Sequence, residues 1–391
     1  MAPIAPPELG EPYLLTPGPL TTSFTVKQAM LRDWGSWDED FRAMTAQIRA
    51  RMLDLLGPGK ADYDCVPMQG SGSFCVEAML GSLIPRDAKV LVLANGAYGQ
   101  RAAKTLRYLE RAHVVLDKGD FLPPRGAEVA DILAADPAIS HVVAIHCETS
   151  SGILNPIQEI ADATAAAGRK LLIDSMSAFG ALPLDPLKTP FEAVVTSANK
   201  CLEGVPGFGL VLARRAALEA AEGISHSLAL DLHDQWRNMV ATGQWRFTPP
   251  THVVAAFVQA LDEHAAEGGI AGRGARYRQN RDTLVAEMRA RGFETLLSEE
   301  WLSPIIVTFF CPDDPAFVFG RFYDLLKADG FIIYPGKLTA VESFRIGCIG
   351  HLDHHVMTAL ARSAERALTT MGVRSAAPGA AALTERNQLV A

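Results

Sequence analysis

"FEAVVTSANKCLEG", residues 191–204, opens as an apolar run and closes on a lysine and a glycine. A short run rich in β-branched residues reads as a buried strand, expected here over 191–200. Lys200 then stands at the strand's carboxyl end, and Gly204, Gly207 and Gly209 let the chain bend away behind it. In open α/β sheets, ligands bind beyond the carboxyl ends of the strands. The stretch therefore poses both questions, whether the sheet is of that kind and what a lysine does at its edge.

The surrounding sequence answers the first. "KVLVLANG" (89–96), "HVVAIHCETSSG" (141–152) and "KLLIDSMS" (170–177) repeat the pattern of a strand ending in polar residues. Between them, "AYGQRAAKTLRYLERA" has helical spacing, and "PIQEIADATAAAG" (156–168) has proline near its first turn and glycine at its end. Alternating strands and helices point to an α/β fold with a mostly parallel sheet sandwiched by helices. After about residue 270 the order changes to a long helix and short strands, as in a small C-terminal α+β domain. The expected division is an N-terminal segment (1–22), a large domain (23–265), a small domain (266–374) and a flexible tail (375–391), Ala- and Gly-rich without periodicity.

Composition removes several classes of function. The 391 residues carry a net charge of −8, against the basic excess usual for a nucleic-acid binder. The six cysteines show neither a CxxC pair nor zinc spacing and read as buried free thiols. The N-terminus lacks the pattern of a secretion signal and no run is long enough to span a membrane, so a reducing, cytoplasmic setting is expected. "HLDHH" (351–355) reads as a helix start rather than a metal frame, and His146 as a hydrogen-bonded core histidine. "GVPGFG" has the wrong spacing for a dinucleotide fingerprint, and no GxSxG elbow is present.

The polar strand ends hold the candidates. "QGSGSFCVEAMLGSL" is a Gly-Ser loop opening a helix, where free amides and the hydroxyls of Ser71 and Ser73 suit a single phosphate; a plain helix cap reads equally well. Asp174 ends "KLLID", as a counter-charge for a ligand cation or as a helix cap or ion-pair partner. A solvated loop lysine is the commonest lysine of all, so Lys200 alone specifies nothing. Together, an anion cradle, an aspartate and a lysine at separate strand ends are what pyridoxal 5'-phosphate requires. Tyr98, in "NGAYGQR", could lie flat on its ring, or be an ordinary buried aromatic. Arg345, between Phe344 and Ile346, should face away from both on a strand, where a guanidinium suits a carboxylate or phosphonate. A structural ion pair is the plainer reading of the same arginine.

Here the sequence also resembles a known family, the class V aminotransferases of fold type I. The resemblance runs from "LLTPGPL" (14–20) through "RDWGSWDEDF" (32–41), "QGSGSFCVEAML" (69–80), "HCETSSGILNP" (146–156), "IDSMSAFG" (173–180) and "SANKCLEGVPGFG" (197–209) to "YPGK" and "FRIGCIG" (334–350). It implies that Lys200 binds the aldehyde of pyridoxal 5'-phosphate and that Asp174 pairs with the ring nitrogen. It implies that Ser71, Gly72 and Ser73, with Ser197, hold the phosphate, that Tyr98 stacks on the ring and that Thr149 bonds near the ring hydroxyl. Thr248 would reach the cofactor of a neighbouring subunit, which implies a homodimer with shared active sites and makes "DQWRNMVATGQWRF" a dimer surface. Arg345 would bind the acidic group of an amine donor. The nearest branch implies 2-aminoethylphosphonate as donor and pyruvate as 2-oxo acid acceptor; alanine–glyoxylate and serine–pyruvate transamination, which use the same arginine, are the alternatives. A nicotinamide dehydrogenase would need the missing glycine fingerprint, and a mere binding module explains neither Lys200 nor Asp174.

Overall fold

The computed structural model describes residues 4, 7–337 and 341–390, with side chains to 388. Seven strands make the central sheet: β1 (Tyr63–Gln69), β2 (Lys89–Ala94), β3 (Ala112–Asp117), β4 (Ile139–Ile145), β5 (Lys170–Asp174), β6 (Ala193–Ser197) and β7 (Phe208–Arg214). Their order across the sheet is β1-β7-β6-β5-β4-β2-β3. β2 to β6 pair in parallel, and β7 runs against both its neighbours, β1 and β6. The expected mostly parallel sheet is thus present.

Its strands alternate between two apolar faces. Leu91, Leu93, Val142, Ile173 and Val194 enter one core, and Val90, Val92, Val143, Leu172 and Val195 the other. Side chains alternate along a strand, so a run apolar at every position can only be covered on both sides. Each such aliphatic side chain removed from water contributes about 1.5–3 kcal/mol.

Two strand boundaries differ from expectation. β6 stops at Ser197 rather than Lys200. The amide of Ala198 still reaches Phe208 O (3.3 Å), but Ala198 O accepts from Gly204 N (2.8 Å), which folds 198–204 into a compact turn. The glycine bend is also shorter than expected, because Gly209 lies within β7. A Cβ there would stand 2.7 Å from Thr196 O on the adjoining strand, so the glycine permits close approach rather than a loop. The strand expected to reach 147 ends at Ile145, and Cys147–Glu148 forms a small hairpin with Ile153–Leu154.

Helices start where strands end. α1 (Gly72–Leu83) follows β1 and α2 (Ala97–Tyr108) follows β2. Further along, α3 (Gly269–Arg289) leads to a three-stranded antiparallel sheet of β8 (Ile306–Phe310), β9 (Tyr334–Pro335) and β10 (Ser343–Gly347), in the order β8-β10-β9. This sheet and α4 (His354–Met371) share an apolar core in which the Phe309 and Phe344 rings stack at 5.7 Å. Asp353 caps α4, accepting from His355 N (3.0 Å), so "HLDHH" is a helix start. The tail forms α5 (Ala380–Val390), and its Arg386 donates to Thr295 O (2.8 Å). No helical pattern was legible there because the segment forms a helix through its alanines rather than an amphipathic stripe. All six cysteines are free, and no helix among the described residues is long and apolar enough to cross a membrane.

The start of the chain belongs spatially to its end. Tyr13–Leu14 pairs in parallel with Phe331–Ile332, and Gly347 N donates to Leu15 O (2.9 Å). The segment then passes over the turn that carries Lys200.

Candidate active site

A cleft of about 810 Å³ opens at the carboxyl ends of β2, β4, β5 and β6. Register makes this possible: Asp174 ends β5 level with Ile145 on β4 and Val195 on β6. Ser71, Gly72 and Ser73 line one end of the cleft, Tyr98 another wall, and Asp174, Ser197 and Lys200 its depth. Seven residues scattered over 130 positions of sequence therefore line one cleft.

Lys200 is half-buried. Its Nζ donates to Pro17 O (2.5 Å) and Gly18 O (3.4 Å), carbonyls of the N-terminal segment. Gly18 has φ +104°, and a Cβ on it would collide with the Lys200 side chain, so glycine is required there. Burial lowers the Lys200 pKa to about 8, against a smaller opposing pull from Cys201 and Asp174. The amine is thus partly neutral slightly above neutral pH.

Asp174 is 7% exposed. Its Oδ1 accepts from Met176 N (3.0 Å), and its Oδ2 has no hydrogen bond among the described residues. Burial raises its pKa to about 6 despite that bond. A buried carboxylate with one bare oxygen is costly unless a cation comes to it. Beneath it, His146 Nδ1 meets Ser175 Oγ (2.9 Å), and burial holds the ring's pKa down at about 4, so His146 is the neutral core histidine expected.

The anion cradle is bare. Ser71 occupies the N-cap of α1 but its side chain makes no capping bond, so the first amides of the helix face the cleft without a helical partner. Ser197 Oγ is buried without a hydrogen bond, as is Thr149 Oγ1. Gly72 lies against Met176, whose Sδ would be 2.5 Å from an added Cβ.

Thr149 and Arg345 meet each other outside the lining itself: Arg345 Nη1 donates to Thr149 O (2.8 Å) and Nε to Pro335 O (2.9 Å). As expected from alternation, Arg345 faces away from Phe344 and Ile346, which enter the core shared by the small sheet and α4. It is 3% exposed, with no carboxylate in ion-pair reach among the described residues. Thr248 does not join this cleft. It is exposed in a separate depression with Trp37, Trp245 and Phe247, and its carbonyl accepts from the Gln69 side chain.

Sequence reasoning missed three residues. Glu148 is fully buried; Oε2 accepts from Tyr98 N (3.0 Å) and Gly99 N (3.4 Å), and Oε1 from Ser150 N (3.0 Å) and Oγ (2.6 Å). It ties the start of α2, and with it Tyr98, to the loop after β4. The only sequence signal was an acidic residue in a strand-end loop. Arg101, one turn beyond Tyr98, donates to Ser73 Oγ (3.1 Å), and Lys337 stands over the Tyr98 ring. Nothing in the sequence separates these from solvated cations.

Comparison with known proteins places this geometry. The family described as "Aminotransferase class-V" matches residues 30–312. The chain is 67% identical over 383 residues to the 2-aminoethylphosphonate–pyruvate transaminase of Rhizobium meliloti (strain 1021), covering 98% of this chain and 100% of the relative. It is 55% identical to the 2-aminoethylphosphonate–pyruvate transaminase of Pseudomonas aeruginosa (strain UCBPP-PA14), covering 88% and 92%. Among solved structures, pyridoxamine–pyruvate aminotransferase from Mesorhizobium loti superimposes with TM-score 0.84 at 22% identity, covering 98% of each chain. Alanine–glyoxylate aminotransferase from Nostoc sp. does so with TM-score 0.83 at 20% identity, covering 93% and 97%, a likeness of fold alone. With a family match over most of its length and relatives this similar along nearly all of it, the chain belongs to the class-V aminotransferases.

Proposed function

We propose that this chain is a pyridoxal-phosphate enzyme that transfers the amino group of 2-aminoethylphosphonate to pyruvate, releasing phosphonoacetaldehyde and L-alanine. The observation that carries the substrate is 67% identity along 98% of the chain to a relative named for that reaction. The cleft supports the cofactor. Two buried hydroxyls without partners, an uncapped helix start, a half-satisfied buried aspartate and a lysine of lowered pKa are each explained by one ligand bearing a phosphate, a cationic ring and an aldehyde.

When bound, pyridoxal phosphate supplies an aldehyde that takes up the amine and a ring that draws electrons from the reacting carbon. The α1 amides with Ser71, Gly72, Ser73 and Ser197 would hold the phosphate. Asp174 Oδ2 would accept from the ring N–H and keep it protonated. Tyr98 would lie against the ring and Thr149 near its hydroxyl. Lys200 Nζ would anchor the aldehyde, then, once released as an amine, take a proton from the substrate carbon and return it at the neighbouring position. The lowered pKa of about 8 suits a group that must serve as base and acid in one turnover. Arg345, oriented by two carbonyls, would hold the acidic end of the donor and then the carboxylate of pyruvate. Thr248 would serve the cleft of a second copy, with the chain acting as a homodimer.

Initial rates with 2-aminoethylphosphonate and pyruvate, compared with serine and pyruvate and with alanine and glyoxylate, test the assignment. The phosphonate donor should exceed the others in kcat/KM by at least about 100-fold. A preference for serine or alanine would overturn it.

A further inference from the structure

Two cations flank one aromatic ring, and a third lies over a second ring, that of its partner across the small sheet. Arg101 Cζ lies 4.9 Å and Lys337 Nζ 5.5 Å from the centroid of Tyr98, and Arg345 Cζ lies 5.5 Å from that of Tyr334; burial first, and then Arg101 and Arg345, disfavour the charge on Lys337. The nearest acid, Glu148, has both oxygens occupied by four donors and forms no ion pair. Arg101 is drawn to Ser73 at the cradle. Arg345 has its two carbonyls. Lys337 has neither a hydrogen bond nor an ion pair among the described residues, and Leu338, Thr339 and Ala340, which follow it, carry no carboxylate.

Lys337 is also held in place by its backbone. Gly336 N donates to Ser343 O (2.8 Å), and a Cβ on Gly336 would stand 2.6 Å from that oxygen. The chain therefore lies directly on β10, two residues from Arg345. One residue further back, Pro335 O orients the Arg345 guanidinium (2.9 Å). "YPGK" thus delivers a carbonyl for one cation and presents a second cation beside it.

One guanidinium is enough for a carboxylate. A phosphonate spreads its charge over three oxygens rather than two and can take a second negative charge, as a phosphate ester does (about −1.5 to −2 near pH 7). We infer that Lys337 is the second cation of the donor subsite, acting with Arg345 to select a doubly charged tetrahedral acid over a carboxylate. This rests on the phosphonate reading above. It also accounts for how one site can take pyruvate in turn: the carboxylate needs Arg345 alone.

The test is inhibition of the cofactor-loaded enzyme by two isosteres, ethylphosphonate and propanoate, measured with whichever donor the enzyme uses in buffer alkaline enough for ethylphosphonate to be a dianion. In Lys337→Gln, and in Lys337→Met as a second neutral variant, ethylphosphonate should weaken by about 10- to 100-fold. Propanoate, and the KM of pyruvate, should move by less than about 3-fold. Lys337→Arg, which keeps the charge, should restore ethylphosphonate to within about 5-fold of the parent. Equal weakening of both acids, or no weakening of ethylphosphonate, would overturn the inference. If 2-aminoethylphosphonate is no donor yet ethylphosphonate binding still depends on Lys337, the substrate assignment fails and the role of the lysine stands.

Discussion

Asp174 shows at the scale of one residue how the site is kept ready at the expense of the fold. Its carboxyl titrates at about 6 in the folded chain against an ordinary 3.8, because burial disfavours the charge. Between those values the folded state binds the extra proton, so stability falls as pH rises from about 4 to 6 and the whole penalty is in force above 6. Two pKa units correspond to on the order of 2–3 kcal/mol. Cofactor-free Asp174→Asn should therefore resist urea better than the parent at pH 7.5, by up to about that amount, with the gap narrowing at pH 5. The same variant should lose at least about 100-fold in transamination, since a neutral amide cannot hold a ring N–H cationic. A variant less stable than the parent at pH 7.5 would show that the carboxylate is satisfied in some other way. Lys200 and Asp174 were both legible from the sequence as polar residues closing apolar runs. Glu148 closes such a run too, but beyond its local bonds to Ser150 its role lies in two hydrogen bonds from Tyr98 N and Gly99 N that only the fold brings within reach.

α2 is the element that depends on Glu148. Its first turn, Ala97 to Gly99, carries Tyr98 into the cleft, and its N-cap Gly96 offers no side chain to receive the free amides. The buried carboxylate supplies that function from another loop and lies at the positive end of the helix. Glu148→Gln keeps the shape but turns an NH2 toward two backbone donors or toward Ser150. It should cost about 1–3 kcal/mol in urea unfolding and weaken cofactor retention on dialysis, through a displaced Tyr98. Unchanged retention would mean that α2 is positioned by packing alone. Elements were the best-read level of the sequence: the strands at 89–94 and 170–174 and the helix at 157–166 follow from apolar runs, proline and glycine. β1, β3 and β7 were not legible, because a run such as "YDCVPMQ" mixes polar residues and proline and gains its strand character from pairing across the sheet.

Across the whole molecule, α3 joins the lysine turn to the loop that follows β10. Arg276 donates to Glu203 (2.8 Å), Glu267 (2.6 Å) and the carbonyls of Gly350 (2.6 Å) and Leu352 (2.8 Å), while Arg273 donates to Cys201 O (2.6 Å). Glu203, three residues after Lys200, is 2% exposed and also accepts from Tyr277 OH (2.5 Å). Burial opposes its charge, but Arg273 and Arg276 outweigh that and bring its pKa down to about 2. A depressed carboxyl contributes stability that is complete above its unfolded value near 4.5 and is lost as pH falls toward 2. Glu203→Gln removes one partner from a buried network and should cost about 3–5 kcal/mol at pH 7, with the difference shrinking below pH 4. Equilibrium unfolding at pH 7 and pH 3.5 would show it, and a cost independent of pH would assign the effect to shape rather than charge.

The sequence by itself determined four parallel strands of the sheet and the family, because hydrophobic period and turn residues are local and the motifs are long. It could not determine which charges meet. Arg101 on α2 and Lys337 after β9 meet at the Tyr98 ring, and Arg345 on β10 lies over Tyr334, an arrangement set by how α2 and the β9–β10 pair pack together. Burial, which sets the pKa of Lys200 and Asp174, is likewise a property of everything packed around a residue and of no stretch of chain. Tertiary structure alone therefore decided which of the many cations gather around Tyr98 and Tyr334 and which stay in solvent.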